Sequence, residues 1–267
     1  MPDTVGSLTR RAAAAACLLL SLVGRAAAQQ PLLDRPSTRE FLSRSDFHLA
    51  VAGLADEDDR FSWDARVGGD LDLVDYVVGR FSASAEYQVV MGNQLQPFDP
   101  NQGNYTLELA SSLRAGPTEL AAMFHHVSRH LADRPNDRAI SVNYWGARAL
   151  RRLPLATGTL DIWADLGRIV NRAYVDYTWR GRANLVARRS MSPRLGVFGR
   201  AFGEIYGVDP RVAGRERQQG GRLEGGVRLT GRGTALELFA GYERVIDADP
   251  LDREPRRWAF AGFRVVN

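Results

Sequence analysis

From residue 46 onward apolar and polar residues alternate. FSASAEYQVV at 81–90 sets Phe81, Ala83, Ala85, Tyr87 and Val89 against Ser82, Ser84, Glu86 and Gln88, and NYTLELASSLR at 104–114 sets Tyr105, Leu107, Leu109 and Leu113 against Thr106, Glu108, Ser112 and Arg114. RFSWDARVGGDLDL at 60–73 keeps one parity, with Phe61, Trp63, Ala65, Val67, Leu71 and Leu73 opposite Asp64, Arg66, Asp70 and Asp72. A period of two marks strands with unlike faces. About twelve such runs begin near Phe47, Phe61, Tyr76, Tyr105, Glu119, Ala139, Thr159, Val175, Arg194, Arg222, Thr234 and Arg257.

The connections alternate in length. After even-numbered strands they are tight: Val74-Asp75, Gly116-Pro117, and the stretches 153–158, 190–193 and 231–233. After most odd-numbered strands they are longer and polar, at 93–103, 129–138, 207–219 and 246–256, with shorter ones at 56–59 and near Asn171. Short turns on one rim and long loops on the other, joined by strands of roughly ten residues, are the pattern of an outer-membrane barrel. In lipid a sheet must close so that every backbone N–H is paired, with apolar side chains outward and polar ones in the lumen. A soluble β fold in the periplasm also alternates, but it needs charge outside and a dry interior. Here the second face is charged along the whole chain, which calls for a wet lumen.

The expected fold is therefore all-β, an antiparallel transmembrane β-barrel of about twelve strands over residues 46–267, located in the outer membrane. Trp63, Trp145, Trp179 and Trp258 lie near strand ends and suit interfacial girdles. The last strand alternates through Ala259, Ala261, Phe263 and Val265, but the chain ends on Asn267 instead of an aromatic residue.

Residues 1–29 carry Arg10 and Arg11 before an apolar run that ends in small residues, the build of a secretory signal peptide. Residues 30–45 read as a periplasmic arm. Cys17 is the only cysteine and lies inside the leader, so the processed chain has no thiol for a disulfide, a metal site or a nucleophile. No later segment approaches the roughly 18–20 apolar residues of a membrane helix. All 35 basic residues are Arg, interleaved with 31 acids for a net charge of +4. That balance argues against nucleic acid and leaves outer-membrane lipids and the barrel-assembly machinery as expected partners.

Candidate chemistry sits at MFHHVSRHLAD, 123–133. Residues two apart in a strand share a face, so His126 and Ser128 lie with Leu120, Ala122 and Phe124 on the lipid side, near the extracellular rim. A serine hydroxyl becomes a nucleophile when a base takes its proton and a third group holds that base. Antiparallel pairing with the next strand sets Asn143 opposite His126, where Cβ atoms stand roughly 4.5–5.5 Å apart. The expected roles are Ser128 nucleophile, His126 base and Asn143 its orienting partner, with Arg129 or a cation steadying the oxyanion. His125 and His48 read as lumen-lining. His130, Asp133 and Asp137 are expected in the following loop, where the two carboxylates are candidate calcium ligands.

His126-Val-Ser128 followed by Asn143 resembles outer membrane phospholipase A, a twelve-stranded barrel whose Ser, His and Asn hydrolyse lipid esters with calcium. Phe124-His-His126-Val-Ser128 is similar to the F-x-H-x-S of lipid A deacylase barrels. The longer His126-Val-Ser128-Arg-His130-Leu-Ala-Asp133 resembles an uncharacterised family of bacterial outer-membrane barrels with an H-x-S-x-H-L-x-D motif. The resemblance spans about 25 residues. Two departures stand out: the phospholipase has Asn and Gly where this chain has Arg129 and His130, and the deacylase Glu has no counterpart between Ala139 and Leu150. The resemblance implies a lipid acyl-ester hydrolase acting on phospholipid or lipopolysaccharide, with calcium as cofactor and a homodimer as its assembly. The other reading open to the sequence is a non-enzymatic barrel, a pore or structural component.

Overall fold

The computed structural model describes residues 38–131, 139–212 and 214–267. They form twelve strands: β1 (Glu40–Ala55), β2 (Trp63–Asp75), β3 (Arg80–Gly92), β4 (Asp99–Ala115), β5 (Thr118–Leu131), β6 (Ile140–Leu155), β7 (Gly158–Ala173), β8 (Tyr177–Ser190), β9 (Leu195–Val208), β10 (Gln218–Thr230), β11 (Ala235–Asp249) and β12 (Glu254–Val266). Each pairs antiparallel with its chain neighbour, and β1 meets β12 from His48↔Val266 to Ala55↔Ala259, so the barrel closes with no free edge. Asn267 joins the seam: its N–H donates to Phe47 O, and its side-chain oxygen accepts from Phe47 N–H.

The strands are 13 to 17 residues long, more than the sequence pattern suggested. Crossing the apolar band takes roughly 9–11 tilted residues. Beyond it both faces are wet, so the ladder continues where the period-two signal has faded. β5 therefore runs on to Leu131, β11 to Asp249, and β4 starts at Asp99. Residues 40–45, expected in the arm, already pair as strand, with Glu40↔Asp75 and Ser45↔Leu71. Val74 and Asp75, read as a turn, end β2, and the turn itself is 76–79. The expected signal peptide (1–29), the rest of the arm up to residue 37, and Asp133 and Asp137 lie outside the described residues. Between β4 and β5, Gly116 adopts φ 60° ahead of Pro117. A two-residue hairpin needs such a positive angle, which glycine supplies without steric cost.

The charge faces inward. Glu224, Glu237 and Arg80 have no solvent exposure, whereas Leu166 is 62% exposed on the outer wall beside many similar apolar side chains. This is the inverse of a water-soluble barrel.

Inside, guanidiniums and carboxylates interlock. Glu237 accepts from Arg200 (2.9 Å), Arg228 (2.8 Å) and Arg264 (2.7 Å). Arg80 grips Asp72 at 2.8 Å and Glu119 at 2.9 Å. Arg148 holds Glu108 through both terminal nitrogens, at 2.6 and 2.7 Å, and also reaches Asp165.

Aromatic residues pack among these pairs, so the lumen is not uniformly polar. Arg222 lies 3.8 Å from the Phe260 ring centroid, and Arg148 lies 4.9 Å from that of Trp163. Two expected lipid-facing aromatics are among them. Trp258 is buried in the lumen and stacked on Phe61 at 5.6 Å. Phe61 precedes β2 in the 56–62 loop, so strand parity does not constrain it. Trp258 lies on the parity opposite to Ala259.

Removing one partner of a buried ion pair strands the others in low dielectric, at about 3–5 kcal/mol. Glu237→Leu, which removes the carboxylate shared by Arg200, Arg228 and Arg264, is expected to destabilise the barrel by that amount, read from the urea midpoint of protein refolded into phospholipid vesicles. An unchanged midpoint would mean the ion pairs do not hold the lumen.

Candidate functional site on the lipid-facing wall

On β5 the even-numbered residues face out: Leu120 is exposed, His126 and Ser128 are half-buried, and His130 is exposed. The β5–β6 register places His126 directly opposite Asn143 and Ser128 opposite Ser141. His126 Nδ1 lies 2.6 Å from Asn143 Oδ1. A carbonyl oxygen can only accept, so Nδ1 carries a proton; in the neutral ring that arrangement leaves the lone pair on Nε2, as a general base requires. The β6–β7 ladder shifts register between Asn143 and Tyr144. The extra residue there is Val170, so the bulge bends β7 alongside Asn143. One step toward the midplane, the rings of Phe124 and Trp145 meet at 5.1 Å and close the wall beneath the pair.

Ser128 does not bond His126. Among the described residues its hydroxyl meets His130 Nε2 at 3.0 Å. His130, expected in a loop, belongs to β5 and shares the outward face, so Ser128 has an imidazole two residues away on each side. The sequence carried this signal, since His130 continues the parity of His126 and Ser128. The strand continues to Leu131, past the apolar residues that mark its period. Tyr105, directly opposite Ser128 on β4, meets the His130 ring edge-on at 5.3 Å and stacks on Tyr87 at 4.5 Å. These residues border an outward groove of about 640 Å³ that continues past Leu107 to Ala85, Gly69 and Phe47. Small residues in its middle make it a trough in the wall.

Arg129 is unavailable to an oxyanion. It points into the lumen, where it donates to Asp247 O (2.7 Å), Gln102 Oε1 (2.9 Å) and Ala248 O (3.0 Å). His125 and His48 line the lumen as expected, held by Glu108 (3.0 Å) and Glu86 (3.1 Å). A lumen cavity of about 210 Å³ lies between Glu108, His125, Arg129, Tyr177 and Arg182. No cluster of three or more His, Cys, Asp or Glu fit to hold a metal occurs among the described residues.

Sequence comparison returned no matching family model and no matching curated protein. Solved structures do match. Outer membrane phospholipase A from Escherichia coli has a TM-score of 0.52 at 10% identity, over 85% of this chain and 97% of its own. The Salmonella typhi outer membrane phospholipase dimer with bound calcium scores 0.51 at 11% identity, over 86% of this chain and 92% of its own. The chain is an outer-membrane β-barrel. At these identities the likeness concerns the fold, and the chemistry must be argued from the side chains.

The His126–Asn143 contact has a spectroscopic consequence. In selectively ¹⁵N-histidine-labelled barrel, His126 is expected as the Nδ1–H form with a deshielded ring proton. Asn143→Ala should abolish that signal and leave His125, anchored by Glu108, unchanged. A His126 spectrum indifferent to Asn143→Ala would show that the contact does not set the tautomer.

Proposed function

We propose that the barrel is a lipid acyl-ester hydrolase working on the outer leaflet. The observation that carries this reading is the 2.6 Å contact between His126 Nδ1 and Asn143 Oδ1, made on the lipid-facing wall two residues from a serine. A histidine held by its Nδ1 presents Nε2 to a nucleophile. Rotation of Ser128 between staggered χ1 wells turns Oγ from His130 toward His126. Its proton then passes to Nε2 as oxygen attacks the ester carbonyl, with Asn143 fixing the ring throughout. The groove beside Ser128 receives the acyl chain. A lumen whose arginines are engaged by carboxylates supports this reading over a conducting pore.

Bound calcium and a dimer are features of the Salmonella typhi phospholipase structure. For this chain calcium enters the proposal through Asp133 and Asp137, and the steps above use only side chains of β5 and β6.

In mixed micelles of diacyl phospholipid or lipid A with detergent, Ser128→Ala should lower fatty-acid release by on the order of 10³-fold or more, and Asn143→Ala by about 10²-fold. Equal rates for wild type and Ser128→Ala would refute the assignment. If chelation abolishes the rate, Asp133→Asn and Asp137→Asn should each raise the calcium concentration needed for half-maximal activity.

A further inference from the structure

We infer that His130 is a second catalytic residue, the general acid that protonates the leaving alcohol, while His126 serves as base toward Ser128. The inference rests on the hydrolase reading above and adds a division of labour that reading does not contain. Two observations carry it: the 3.0 Å contact between Ser128 Oγ and His130 Nε2, and the placement of both imidazoles around Ser128 on one strand face.

The substrate's orientation separates the two roles. β5 starts after the short turn at 116–117, the kind that faces the periplasm in such barrels, and runs toward the opposite rim, with successive same-face residues spaced roughly 7 Å along the strand. His126 thus lies on the midplane side of Ser128 and His130 on the rim side. A lipid ester enters with its acyl chain in hydrocarbon and its alcohol in the headgroup layer. The trough continues from His126 past Leu107 toward Ala85 and Gly69, near the middle of their strands, so the acyl chain lies on the His126 side. With the carbonyl carbon at Ser128 Oγ, the ester oxygen that departs points at His130. The edge of Tyr105 holds that ring in place.

The protons balance over the cycle. Ser128 Oγ forms a bond to the carbonyl carbon as its proton moves to His126. The C–O bond to the alcohol breaks, and the leaving oxygen takes a proton from protonated His130. Water then attacks the acyl-serine and gives a proton to His130, now neutral. Collapse releases the fatty acid as His126 returns its proton to Oγ. Both histidines end as they began, and no other reactant is consumed than ester and water.

General acid catalysis matters for a poor leaving group and little for a good one, and it contributes roughly 10²–10⁴-fold where it matters. The test compares single-turnover acylation of the refolded full chain by a diacyl phosphatidylethanolamine with that by the p-nitrophenyl ester of the same fatty acid. His130→Ala is expected to raise the preference for the activated ester over the alkyl ester by about 100-fold. His130→Gln, which keeps a polar side chain at the rim, should do the same and guards against a folding defect in the alanine variant. Equal loss on both esters would overturn the proposal, because a purely structural role does not sense the leaving group. Undiminished phospholipid acylation in both variants would also overturn it. Failure of the underlying reading shows separately, as fatty-acid release by Ser128→Ala equal to wild type.

Discussion

Hydrocarbon offers no partner for a backbone N–H or C=O, and each such group left unpaired there costs several kcal/mol. That constraint sets the closed ladder from β1 round to β12, and the rest of the molecule is arranged around it. Once the sheet is closed, alternate side chains have no choice of environment: Leu107, Leu166 and Leu238 meet lipid while Glu108, Asp165 and Glu237 meet one another's arginines. Arginine suits this interior because its planar fork serves two carboxylates at once, as Arg148 does with Glu108 and Asp165. Buried ion pairs of this kind are weak evidence for net stability, but removing one member is costly.

The same alternation makes polar residues on the outer wall conspicuous. His126, Ser128, His130 and Asn143 lie on a wall rich in exposed Leu, Phe, Trp and Tyr side chains, and they gather at one place because β5 and β6 are in register there. Polar groups cost least near the ends of a membrane strand, which is also where a lipid's ester bonds lie. Position along the strand therefore relates the site to its proposed substrate as much as residue type does. Solved phospholipase barrels share the architecture, and the chemistry proposed for this chain stands on its own contacts.

Several features were legible before any coordinates. Strand count, the inward charge and the pairing of His126 with Asn143 follow from parity and from counting back across one loop. Trp258 and Phe61 were misplaced because aromatic residues serve a girdle or a lumen equally well, and only packing against Arg256 and each other decides between them. Arg129 was misjudged for a related reason: its parity pointed inward, but the carbonyl oxygens of Asp247 and Ala248 that hold it come from a strand more than a hundred residues away.

A two-residue period and the solvent properties of lipid are local matters, so the amino-acid order alone determined that this chain would form a barrel with a greasy wall and a charged interior. Which carboxylate each arginine would find, that Asn267 would fasten the seam at Phe47, and that Ser128 would rest on His130 instead of His126 were decided only in three dimensions. These contacts depend on strand length, a bulge beside Asn143 and ring packing from β4, and such distances arise from closure of the whole sheet, which no single segment encodes.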